Sequence, residues 1–155
     1  MTVYYLDSSV WVKRYYEEGG TERVRELFSA GHSFACSDLG FVEVAATLSR
    51  KHRAGQISAE SRDQGLIDLE RDWRQFVQIV PIDHVITAAV RLARDHALRG
   101  SDAIHLASAL LVSQRLTGSG HRAVLATCDR ELKRAAQEVG LLSFDPEETA
   151  SSLSK

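Results

Sequence analysis

The sequence predicts an α/β fold, a three-layer α/β/α sandwich on a mainly parallel central sheet, and three observations carry that prediction. Five short apolar runs rich in β-branched or aromatic residues punctuate the chain, TVYYL (2–6), SFAC (33–36), QIVPI (78–82), AVLAT (123–127) and LLSF (141–144). Runs of that length, bounded by polar or turn residues, read as strands. Longer stretches with apolar residues at helical spacing fill the intervals. Strands separated by helices need right-handed crossovers, and the resulting parallel sheet is covered on both faces.

The first strand stops at Asp7, and SSVWVKRYYEE (8–18) continues behind it with a helical pattern. Asp and Ser are both good helix N-caps. After a turn at Gly19 and Gly20, ERVRELFSA (22–30) is helical and leads into the second strand. SDLGFVEVAATLSRKHRA (37–54) and SAESRDQGLIDLERDWRQF (58–76) are helices before the third strand. HVITAAVRLARDHAL (84–98) and DAIHLASALLVSQRL (102–116) follow, with LRGSD between them, and LTGSGHR (116–122) turns into the fourth strand. RELKRAAQEV (130–139) and LLSF complete the order. Trp11 with Tyr15, and Trp73 with Phe76, sit at helical spacing and are expected to be core or interface anchors rather than base-stacking platforms. Residues 1–145 are expected to form one domain, and 146–155, PEETASSLSK, a flexible C-terminal tail.

A chain of 155 residues with 44% hydrophobic content can bury one core without staples. Its 21 acidic and 19 basic residues leave a net charge of −2, so no global positive field advertises a nucleic acid, and such a partner would have to meet a local patch. Cys36 and Cys128 match no zinc or redox spacing, and the N-terminus lacks the layout of a signal peptide. The expectation is a reduced, cytoplasmic protein. No segment has the roughly 20 apolar residues that cross a membrane.

Chemistry resides in the carboxylates. Asp7 and Asp129 each stand between an apolar run and a helix, and the C-terminal ends of parallel strands lie along one edge of a sheet, where ligand crevices form. Asp102 opens a helix after a glycine and a serine, where the helix dipole favours negative charge. Taken alone, a cap is the simpler description of all three. Glu43 lies among Phe41, Val42, Val44, Ala45 and Ala46, where an ionised side chain is costly unless paired or coordinated. Oxygen ligands without a His or Cys partner favour Mg²⁺ or Mn²⁺ over zinc. Carboxylates forced together repel until a cation neutralises them.

The segments YLDSSVWVKRY, FVEVAATLSR, GSDAIHLASAL and LATCDRELKRAA, in that order, resemble the PIN domain family, and within it the VapC type of toxin–antitoxin ribonuclease. The resemblance covers nearly the whole chain. It implies a PIN-like α/β/α fold and an acidic set, Asp7, Glu43, Asp102 and Asp129, that binds Mg²⁺ or Mn²⁺ and is catalytic. Ser9 and Thr127 are its expected supporting residues. The implied activity is an endoribonuclease that cleaves RNA by metal-activated attack of water on a phosphodiester, with a 5′-phosphate and a 3′-hydroxyl as products. The implied partners are RNA, a small VapB-like antitoxin and a second copy of the chain in a homodimer.

A polyanion at an acidic site needs cations, and the chain offers Arg50, Lys51, His52 and Arg53, then Arg130, Lys133 and Arg134, and above all Lys13 and Arg14 behind the Asp7 turn, the possible RNA-binding pair. His105, one turn after Asp102, is expected to be packed and hydrogen-bonded rather than a general base. No G-x-S-x-G elbow and no P-loop occur. Alternative readings are a PIN domain outside toxin systems, one that binds RNA without cutting, and a phospho-acceptor signalling domain. The last would need a paired acid after the first strand, where LDSS has one.

Overall fold

The computed structural model describes residues 1–148. Five parallel strands form one sheet in the order β3-β2-β1-β4-β5, with β1 (Thr2–Leu6), β2 (Ser33–Ser37), β3 (Val77–Ile79), β4 (Arg122–Ala126) and β5 (Leu142–Phe144). The helices between them are α1 (Ser8–Trp11), α2 (Thr21–Ser29), α3 (Asp38–Arg53), α4 (Ala59–Trp73), α5 (Asp83–His96), α6 (Gly100–Arg115) and α7 (Arg130–Glu138). This is the predicted three-layer α/β/α sandwich.

The period of two along each strand divides the core into two layers. Val3 and Tyr5 of β1, Ala35 of β2, and Ala123 and Leu125 of β4 face one layer, where Val85 and Ala89 of α5, Leu106 and Val112 of α6 and Leu132 of α7 cover them. Leu6, Phe34, Cys36 and Ala126 face the other, under Trp11 of α1, Val24 of α2, Val44 and Leu48 of α3 and Leu69 of α4. The expected aromatic anchors meet there, with Trp11 stacked on Phe76 at 4.6 Å between centroids and its Nε1 donating to Tyr15 Oη at 2.8 Å.

Two elements depart from the sequence pattern. The helix read over 8–18 is one α-turn, α1, followed by a 3₁₀ turn, Val12–Arg14. That tightening turns Lys13 inward, where it is buried and its Nζ pairs with Glu18 and Glu147 at 2.8 and 2.6 Å. The third strand is β3, earlier than QIVPI, because Pro81 has no N–H for a ladder and the chain turns at Ile82, whose N–H donates to Val80 O. No helix among the described residues is long and apolar enough to cross a membrane. Of the segment expected as a tail, residues 149–155 lie outside the described part. Residues 146–148 turn back on the domain, with Pro146 buried and Glu147 and Glu148 paired to Lys13 and Lys133.

Candidate metal centre at the carboxyl edge of the sheet

β1 and β4 are neighbours, so their C-terminal ends deliver Asp7 and Asp129 to one place. The Asp7 N–H donates to Ala126 O at 3.1 Å, extending the ladder by one step. Its buried carboxylate accepts three hydrogen bonds: Oδ1 from the Ser9 hydroxyl at 2.5 Å and the Val10 N–H at 3.2 Å, and Oδ2 from the Thr127 hydroxyl at 2.5 Å. Each hydroxyl also accepts, Ser9 Oγ from the Cys128 N–H at 3.1 Å and Thr127 Oγ1 from the Asp129 N–H at 3.0 Å. The two residues expected as supports therefore lace the ends of β1 and β4 together.

The chain of contacts continues to the other acids. Asp129 Oδ1 accepts from the Leu132 N–H at 2.9 Å and caps α7, while its Oδ2 accepts from Arg99 Nη2 at 3.0 Å. Arg99 Nε donates to Asp102 Oδ2 at 3.0 Å, in the first turn of α6. One turn along the same helix, His105 Nε2 lies 2.7 Å from Glu43 Oε2 of α3, and His105 Nδ1 lies 3.0 Å from the Tyr5 hydroxyl of β1. Asp7, Glu43, Asp102 and Asp129, with Ser9 and Thr127, thus share one edge of the sheet. Because Asp129 is also a helix cap, Asp129→Ala should cost about 1 kcal/mol of stability, read by urea denaturation.

Burial sets the electrostatics. It raises the pKa of Asp7, against the opposing pull of the His105 ring and of the Ser9, Thr127 and Val10 donors. Asp102 is also raised, by burial and by the charge of Asp129, against the Arg99 hydrogen bond. Burial pushes Glu43 up as well, but the hydrogen bond and charge of His105, with Ser8 and Arg50, bring it below the usual carboxylate range. Glu43 is therefore ionised and only accepts, so His105 Nε2 carries a proton. Burial keeps the Tyr5 phenol protonated beside Nδ1.

His105 is 2% exposed and hydrogen-bonded, as expected, and in addition it grips an acid of the site. Sequence reasoning missed Arg99 and Tyr5. Arg99 stands three residues before Asp102, the spacing of an ion pair on one helical turn, which was the available signal. The expected RNA-binding pair is corrected. Lys13 is 3% exposed and paired as described, and Arg14 Nε pairs with Asp72 Oδ2 at 2.5 Å while its guanidinium lies 4.0 Å above the Phe28 ring. Both cations are committed to carboxylates of the fold. Among the described residues, the cluster whose ligand atoms all lie within 4.8 Å of one another is a different one, Cys128, Asp145 and Glu147, and Lys133 and Lys13 already pair its carboxylates.

A parallel sheet with an acidic carboxyl edge defines a class, and the comparison with known families gives it: the PIN domain model matches residues 4–138, so the chain belongs to the PIN domain family. Within that family it is of the VapC type. It is 35% identical over 144 residues to Ribonuclease VapC45 of Mycobacterium tuberculosis, covering 90% of this chain and 93% of the relative. Two solved structures share the fold. VapBC2 from Rickettsia felis, bound to a DNA fragment from its promoter, superposes with a TM-score of 0.63 at 15% identity, covering 92% of this chain and 98% of that one. A toxin–antitoxin complex from Klebsiella pneumoniae gives 0.60 at 16% identity, covering 94% and 98%.

Proposed function

We propose that this chain is a Mg²⁺- or Mn²⁺-dependent endoribonuclease, the toxin of a toxin–antitoxin module. The observation that carries the reading is one set of contacts joining Asp7, Thr127, Asp129, Arg99 and Asp102 and a second joining His105 and Glu43, with α6 carrying both Asp102 and His105 and every acid of the set present. The name and 35% identity of the mycobacterial ribonuclease support it. The donor set fits the metal: four carboxylates offer hard oxygens, two of them with raised pKa values, and a guanidinium already lies across one pair. Asp7, Glu43, Asp102 and Asp129 would hold the ion, which would supply Lewis-acid charge to a phosphodiester and to the attacking water.

The chain's own residues supply orientation. Ser9 and Thr127 hold both oxygens of Asp7, and His105, itself fixed by Tyr5, holds Oε2 of Glu43. Such outer partners keep metal-binding carboxylates in place before the ion arrives. The presence of all four acids favours catalysis over a PIN domain that only binds. The same reading makes a small VapB-like antitoxin and a second copy of the chain the protein partners, and the cytoplasm the place of action.

Purified protein should cleave members of a panel of structured RNAs only with Mg²⁺ or Mn²⁺, leaving 5′-phosphate and 3′-hydroxyl ends. Glu43→Gln should lose Mn²⁺ binding by calorimetry while staying folded. Cleavage that survives EDTA would sink the reading.

A further inference from the structure

The cation nearest the acids comes from the chain itself. Arg99 precedes α6 in extended backbone, and its guanidinium spans two carboxylates delivered by different elements, Nε on Asp102 and Nη2 on Asp129, each at 3.0 Å. Its side chain is 76% exposed, so these ion pairs, rather than packing, hold it there. A guanidinium across two carboxylates relieves the same repulsion that a divalent ion would. The two occupants compete, because Arg99 uses one oxygen of each acid and stands between them.

We propose that Arg99 is the phosphate-binding residue of this site, parked on Asp102 and Asp129 until a divalent ion takes those oxygens and frees the guanidinium for an adjacent RNA phosphate. The inference rests on the reading of the acids as a metal centre. A planar fork of N–H donors suits a phosphate as well as it suits a carboxylate, so one side chain serves both states. Lys13 and Arg14, the cations that follow Asp7 most closely, are held by Glu18, Glu147 and Asp72 and leave that role open. Displacement of Arg99 is part of what metal binding costs, and its release puts positive charge beside the acids only once the ion is in place.

Two measurements on Arg99→Ala should then move in opposite directions. Without RNA, calorimetric titration with Mn²⁺ should show binding tighter than wild type by about 3- to 10-fold, the range for loss of one or two exposed ion pairs. In single-turnover cleavage of an RNA that wild type cuts, at saturating Mn²⁺, the half-saturating protein concentration should rise about tenfold, as for loss of a phosphate contact. Added guanidinium should recover part of that loss, and Arg99→Lys should fall between wild type and Arg99→Ala in both assays. If wild type binds Mn²⁺ but Arg99→Ala binds it equally or more weakly, Arg99 does not compete with the metal and the inference fails, while the metal centre stands. An unchanged half-saturation point with tighter Mn²⁺ binding overturns the phosphate role. If wild type binds no Mn²⁺, the metal centre fails and the inference with it.

Discussion

Asp7→Asn should reduce RNA cleavage by at least about 100-fold while leaving the protein folded. The loss is that of a negatively charged oxygen pair at the centre of the acidic edge, and removal of one well-placed electrostatic contact at a reacting centre costs on the order of 10²–10³ in rate. Folding should survive because asparagine caps a helix as well as aspartate does, so the Val10 N–H keeps its acceptor. Ser9 and Thr127 hydroxyls can turn to suit an amide. Burial already disfavours the ionised form of Asp7, so the neutral side chain should leave the melting temperature equal or higher at neutral pH. Paired measurements of cleavage rate and thermal unfolding check this. Parallel loss of both would return Asp7 to the role of a cap.

Gly40→Ala should destabilise the protein by about 1–2 kcal/mol and also impair cleavage. A Cβ at Gly40 would stand 2.3 Å from Cys36 Sγ and 3.2 Å from His105 Cε1, so something in the buried layer must shift. Overpacking of this kind costs about 1–3 kcal/mol, partly offset by the gain of up to about 1 kcal/mol from replacing glycine within a helix. His105 is the neighbour with consequences, because its other contacts are Tyr5 and Glu43. Displacing it should release Glu43 and lower activity about 10- to 100-fold, the usual effect of losing an outer partner of a metal ligand. Urea denaturation and cleavage at saturating Mn²⁺ separate the two effects. A variant as active as wild type would show that the His105 grip on Glu43 is dispensable.

The strands and their two-sidedness could be read from the chain because each is a local pattern: Val3 and Tyr5 go to one layer and Leu6 to the other by the period of two alone. The acids were legible through their positions after apolar runs and through the family wording around them. What lies between distant segments was not. Nothing local says that β1 lies beside β4, which brings Thr127 to Asp7 across a separation of 120 residues. The Arg99–Asp102 pair follows from spacing, but its second contact, with Asp129, exists only once α6 and α7 are side by side. Lys13 misled for a related reason. A helical wheel through 8–18 gives no sign that the turn tightens at Val12 and carries the amine into the interior.

The sheet order also decides when the site comes into being. The ribosome releases Asp7 early and Glu43 soon after, yet β1 lacks its partner on one side until β4 is made. Parallel pairing over such a distance forms late, because the loop must close before its contacts repay the lost freedom. Asp7 therefore gains Thr127, and the edge gains Asp129, only when most of the polypeptide has been synthesised. Until then the acidic edge is incomplete, however much of the polypeptide precedes it.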